Sequence, residues 1–187
     1  MNRPRPVLIA VLAAGVLAAG GLLWWGLLGN RSPWVPTCTD LAPGLQAELG
    51  GGWTVTDPDE YRARSGHRSS STCVISFVTA DQKYTGTIDM FTVGSSDTET
   101  ARREVESYGC GKAGADIPAT QDYHAFGICS STNNSYSRAS VHAAKDYRRV
   151  TVSTKVNVRE DEPGAAAYAQ DLSRLVADRA LTIAEPD

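Results

Sequence analysis

The sequence predicts an α+β domain: a twisted antiparallel sheet with helices packed on one face, preceded by one transmembrane helix. Three observations lead to this class. An uncharged apolar run opens the chain, segments of alternating apolar and polar residues follow, and stretches with helical apolar spacing lie between them. Alternation of this kind is typical of an antiparallel sheet with one buried face and one wet face.

The opening run extends from Val7 to Leu28 and holds 22 residues without an ionisable side chain. As a helix it would be roughly 33 Å long, which is enough to cross the hydrocarbon core of a bilayer. Arg3 and Arg5 precede the run, and only Arg31 lies close after it. The positive-inside rule therefore predicts a cytoplasmic N-terminus and an exported C-terminal part.

A cleaved signal peptide is the alternative interpretation of the same run. Small residues occur at 18–20, but cleavage there would leave the bulky apolar residues 22–28 at the start of the mature chain. No small-residue cleavage pattern follows Leu28. We therefore favour an uncleaved anchor.

The run divides the chain into four predicted parts. Residues 1–6 are the cytoplasmic N-terminus, 7–29 the transmembrane helix, 30–36 a short spacer and 37–187 an extracytoplasmic disulfide-bonded α+β domain. The predicted location is the cell membrane, crossed once.

The exported part carries 16 of the 18 Lys and Arg against all 21 Asp and Glu. This mildly acidic balance argues against nucleic acid as a partner.

All four cysteines follow the run, on the side where disulfides form and persist: Cys38, Cys73, Cys110 and Cys129. Four cysteines allow three pairings, of which we favour Cys38–Cys73 and Cys110–Cys129. Each bond would contribute about 3–4 kcal/mol in the loop-entropy treatment. A zinc site is the alternative, but the sequence has no C-x-x-C or C-x-x-H spacing. We therefore expect no metal and no cofactor.

The predicted elements of the exported part follow the order α-β-β-β-α-β-β-β-α. The first helix begins at Thr37 or Thr39 and ends at the glycines 50–52, and Pro43 predicts that it is short. Polar residues 57–71 predict a loop. Strands are predicted over residues 53–55, 73–79, 85–93, 125–129, 138–144 and 149–158.

Two further helices complete the prediction. Residues 96–99 (Ser-Asp-Thr-Glu) match a capping box, and Gly109 is the stop signal of the helix that follows. Pro163 opens the last helix. Its apolar stripe, which would cover the sheet, consists of Ala169, Leu172, Leu175 and Val176.

Few residues are candidates for chemistry, and no catalytic residue is predicted. Asp122 and His124 could offer two metal ligands or a base with an orienting carboxylate, but no G-x-S-x-G or H-E-x-x-H motif accompanies them. Arg62, Arg64 and Arg68 form a basic run that could meet an anionic wall polymer or phosphate. These five residues are weak binding candidates, because ordinary surface positions explain them better.

A cysteine in a short first helix (Cys38-Thr39-Asp40-Leu41), a cysteine opening a strand (Cys73-Val74-Ile75-Ser76-Phe77), a later cysteine pair and a last Ala/Leu helix form a pattern. It resembles small actinobacterial cell-envelope domains, which include uncharacterised lipoproteins and sensor domains of membrane serine/threonine kinases. The chain departs from them in lacking a lipobox and a kinase region. The resemblance implies binding of a ligand or partner without known catalysis, and it carries over no functional residue.

The sequence therefore predicts a membrane-anchored extracytoplasmic domain that is non-catalytic and binds an envelope ligand or a protein partner. Binding would use the open face of the sheet or its loops. One alternative is an exported hydrolase or metal-dependent enzyme whose site is assembled from distant residues. Another is a structural subunit of a membrane complex, acting through the small-residue stripe Ala10, Ala14 and Ala18 of the anchor.

Overall fold

A computed structural model describes residues 33–56, 62–65, 68–108, 123–157 and 164–185. These residues form an α+β fold of three helices and one antiparallel sheet. The predicted transmembrane segment 7–29 lies outside the described residues, as do Cys110 and Asp122. None of the helices within the described ranges is long and apolar enough to cross a membrane.

The sheet has six positions across its width. Its order is β1-β3-β4-β7-β6-β5, and β2 shares the β1 edge by pairing with the first part of β3. The described elements are α1 (Cys38–Leu49), β1 (Gly52–Val55), β2 (Arg62–Ser65), β3 (Arg68–Val78), β4 (Thr85–Ser95), α2 (Thr98–Glu106), β5 (Ala125–Thr132), β6 (Tyr136–Lys145), β7 (Arg148–Asn157) and α3 (Ala165–Thr182).

One face of the sheet, here called the core face, is covered by α1 and α3. Ile75, Ile88 and Met90 project from β3 and β4 into this layer, and each is at most 2% exposed. The helix α3 meets the sheet with small side chains, since Ala169 and Ala177 are fully buried. Small residues let the helix backbone approach the strands, so the apolar area between them is removed from water.

The opposite side of the sheet, here called the open face, carries α2 at one end. Ala144 follows Ala143 in β6 and therefore points away from the core face. It packs with Ala125 of β5 against Ala101 and Val105 of α2, in a cluster separate from the main core. The prediction that the helices pack on one face is therefore wrong for α2, which lies on the other.

The segment before α1 is packed into the domain, although the sequence places its first residues in the spacer. Trp34 is 8% exposed and Val35 only 1%. The Ser69 hydroxyl donates to the Pro33 carbonyl, and the Ser71 hydroxyl donates to the Pro36 carbonyl at 2.6 Å. These bonds explain why β3 begins at Arg68, within the stretch predicted as a loop.

The first predicted disulfide is confirmed, because Cys38 at the start of α1 is bonded to Cys73 in β3. Their Cα atoms are 5.1 Å apart. Cys129 in β5 is also disulfide-bonded, and its predicted partner Cys110 lies outside the described residues. The bond between Cys38 and Cys73 joins the helix layer to the sheet.

Candidate binding face

Beyond α2, the open face is a largely polar surface that crosses five strands. Many of its side chains carry a hydroxyl group. The Ser and Thr residues that the strand register places there include Ser70, Thr72, Ser76, Thr85, Thr87, Ser131, Ser140, Thr151 and Ser153. A strand side with this composition is wetted in the free protein and offers both donors and acceptors.

Large apolar side chains interrupt this polar surface. Val78, Phe91 and Tyr108 are 42%, 40% and 48% exposed, and they are the large apolar residues that the described part of the chain leaves in water. Val78 and Phe91 belong to the open face by register. Tyr108 follows α2 and stacks on His142 of β6, with ring centroids 4.5 Å apart and planes 6° apart. All three therefore lie on the same side of the sheet.

Glu104 fixes α2 to this face. Its carboxylate accepts two hydrogen bonds from Arg68 Nη2, at 3.0 and 3.1 Å. Arg149 Nε lies 2.5 Å from Glu104 Oε2 as an ion pair, without the alignment of a regular hydrogen bond. Arg68, one of the predicted binding residues, is thus engaged in holding the helix.

His142 is a partly buried titratable group on the open face. Its Nδ1 atom lies 3.1 Å from the Thr151 hydroxyl, across the β6–β7 pair. Burial lowers the pKa of His142, and the nearby positive charge of Arg149 lowers it further. The lowered pKa favours the neutral form of the imidazole that stacks on the Tyr108 ring.

Of the other predicted candidates, those that the structure describes do not come together. His124 lies at the start of β5, half exposed, with Nε2 3.9 Å from Asp146 Oδ1 in the β6–β7 turn. Arg62 and Arg64 lie in β2, at the opposite edge of the sheet. Within the described ranges, no three His, Cys, Asp or Glu side chains are grouped to hold a metal ion.

A pair of cations on the open face was missed by sequence reasoning. Arg138 of β6 is directly opposite Lys155 of β7, and both are exposed. The sequence does contain the information needed to find it. The tight turn pairs Lys145 with Arg148, and seven residues further from the turn on each strand Arg138 is opposite Lys155. Strand identity alone does not show such a pair, because it also requires the register.

A separate depression lies away from the open face. It is a pocket of about 230 Å³ between the β6–β7 turn and the residues that follow α3. Arg148 in its wall donates to the carbonyls of Ala180 and Ile183, at 3.3 and 2.6 Å. This arginine is therefore occupied in closing the end of a helix.

The open face thus combines a hydroxyl-rich surface, exposed apolar side chains and a cation pair, and it is the candidate binding site. Comparison of the chain with protein-family models, curated protein sequences and solved structures finds no match.

Proposed function

We propose that this protein is a non-catalytic, membrane-anchored extracytoplasmic domain that binds an envelope ligand or a protein partner through the open face. The predicted span at 7–29 and its flanking arginines support the location. The Cys38–Cys73 bond supports an oxidising compartment, since such bonds persist outside the cytosol.

One observation carries the proposal: Val78, Phe91 and Tyr108 are exposed on one side of the sheet. On the core face, by contrast, the described large apolar side chains of the sheet are buried. Exposure of such side chains is therefore a feature of the open face and not of the whole fold. Aromatic side chains such as Phe91 and Tyr108 are enriched on surfaces that become covered by a partner.

Site-specific crosslinking of the full-length protein in intact cells tests this assignment. A photoreactive residue is placed at Phe91 and, as a matched control, at the exposed Asp171 on α3, which covers the other face. We expect a discrete adduct from position 91 and none from position 171. Adducts from 171 alone, or from neither position, would overturn the open face as the binding surface.

A further inference from the structure

Arg138 and Lys155 are directly opposite residues of the β6–β7 pair, and the register places both on the open face. Directly opposite residues of an antiparallel pair have Cβ atoms about 4.5–5.5 Å apart, and like charges there are destabilising. In the described part of the chain, neither cation has a carboxylate within ion-pair distance. A bound anion would supply the negative charge that these two cations lack.

Neighbouring side chains hold both cations in a defined arrangement. Arg138 Nε donates to the Ser153 hydroxyl at 2.8 Å, and the Ser140 hydroxyl donates to the same oxygen at 3.2 Å. The two terminal nitrogens of Arg138 make no hydrogen bond to the described residues. Lys155 Nζ lies 4.7 Å from the centre of the Tyr136 ring. A guanidinium fork and an ammonium point charge each match the oxygens of a carboxylate or a phosphate.

The same row of the sheet extends beyond the two cations. Ser76 and Thr87 continue it on the Lys155 side, and Ser131 continues it on the Arg138 side. With strands about 4.8 Å apart, a row across five strands is roughly 19 Å long. It is a flat track and not a pocket, so it fits a linear chain bearing hydroxyl groups as well as negative charge.

We propose, building on the function proposed above, that this row binds an anionic polysaccharide whose carboxylate or phosphate groups contact Arg138 and Lys155. An acidic peptide fits less well. An extended peptide gains affinity by pairing its backbone at a sheet edge, whereas β6 and β7 are interior strands whose backbone groups are already paired on both sides. Recognition on this face depends on side chains.

Asp89 gives the proposal an internal check. It lies on the open face in β4, two residues after Thr87. Thr87 is directly opposite Lys155. Its carboxylate is exposed and forms no ion pair with a described cation. It would repel a polyanion on the row, so its removal acts in the opposite direction to removal of a cation.

Affinity measurements on the full-length protein in detergent test this proposal at low salt. The probes are polygalacturonate, phosphorylated dextran, uncharged dextran and polyglutamate. The variants are R138Q, K155Q and D89N, with K83Q as the control. Lys83 is an exposed lysine on the β3–β4 connection and lies over the Tyr84 ring at 5.0 Å, much as Lys155 lies over Tyr136.

We expect R138Q and K155Q each to weaken binding of an anionic dextran or polygalacturonate about three- to tenfold. D89N strengthens binding, and K83Q leaves it unchanged. Binding of only one of the two anionic polysaccharides supports the proposal and identifies the anionic group. Equal losses in K83Q, or selective binding of polyglutamate, would overturn it.

Two readouts separate this proposal from misfolding and from the proposed function. R138Q and K155Q should keep the circular dichroism spectrum and the cooperative thermal unfolding of the wild type, because both side chains lie on the exposed face of the sheet. If position 91 gives an adduct in cells but all variants bind every polymer alike, the open face remains the binding surface and the polysaccharide is rejected. If position 91 also gives no adduct, the open face itself is rejected as the binding surface.

Discussion

Arg148 shows how this fold holds a buried cation without a carboxylate. The side chain is 4% exposed, and its guanidinium donates to Ala180, Leu181 and Ile183 at the end of α3. It also lies between the rings of Trp34 and Tyr147, at 4.8 and 5.0 Å from their centres. The carbonyl end of a helix carries partial negative charge, and the two rings add cation–π attraction.

Replacement of Arg148 by methionine should lower the free energy of unfolding by about 2–4 kcal/mol, because several buried carbonyls lose their donor. Urea unfolding measures the loss. Arg174, a partly exposed arginine of α3, is the matched control, and R174M should change stability by less than about 0.5 kcal/mol. Equal effects of the two changes would contradict the capping role.

His142 should make stability depend on pH. Burial, and then Arg149, lower its folded-state pKa below the ordinary value of 6.5, so the unfolded chain binds the proton more readily. Stability should therefore be full above about pH 6.5 and fall as the pH drops from there towards the folded-state pKa. Thermal unfolding across this range shows the slope. H142Q should flatten it, and an unchanged slope in that variant would assign the dependence to another group.

Among the elements, the contact between α1 and β3 depends on the Cys38–Cys73 bond, which closes a sequence separation of 35 residues. The double variant C38A/C73A should lose about 3–4 kcal/mol of stability, since the unfolded chain regains the entropy of an open loop. Denaturant unfolding measures this loss. A double variant as stable as the wild type would show that packing alone holds α1 in place.

The predicted Cys110–Cys129 bond has a separate test. Mass spectrometry of the digested, non-reduced protein should recover a peptide pair containing Cys110 and Cys129, alongside the Cys38–Cys73 pair. A peptide joining Cys129 to any other cysteine would contradict the sequential scheme.

Alternation was a sufficient guide to β4, β6 and β7, because each has one dry and one wet side. It failed at residues 68–72, where β3 buries Ser69 and Ser71. Those hydroxyls are satisfied by the carbonyls of Pro33 and Pro36, more than thirty residues away. The local sequence does not indicate such a distant partner. A polar strand that is buried therefore has the same sequence pattern as a loop.

The face occupied by α2 was unpredictable for a related reason. The buried apolar side chains of α2 are Ala101 and Val105, and they pack against Ala125 and Ala144 of the sheet. Because Ala143 and Ala144 are consecutive, both faces of β6 carry alanine, and the period of two cannot choose between them.

The candidate site was predicted only as a location. The open face of the sheet was expected to bind, but of the predicted binding residues Arg68 is held by Glu104. The Arg138–Lys155 pair depends on register across two strands, which composition and motifs do not report.

For the whole molecule, the predicted topology has a direct test. We expect protease added to wall-stripped cells to remove the domain from the outside while an N-terminal tag stays protected, since the flanking arginines favour a cytoplasmic N-terminus. The untreated chain should keep residues 1–30. A chain shortened near residue 20, or a tag exposed to protease, would instead support a cleaved signal or the reverse orientation.

The junction of the first helix with the sheet also has a mechanical consequence. A pull applied at the N-terminal end can strip residues 33–37 from their serine contacts, but at Cys38 the tension passes through sulfur to Cys73 in β3. The covalent bond bypasses α1, β1 and β2, which then carry no load. Further extension has to shear an interior strand from β4 along eleven residue pairs. The domain should therefore resist traction from that end far better in its oxidised form than after reduction.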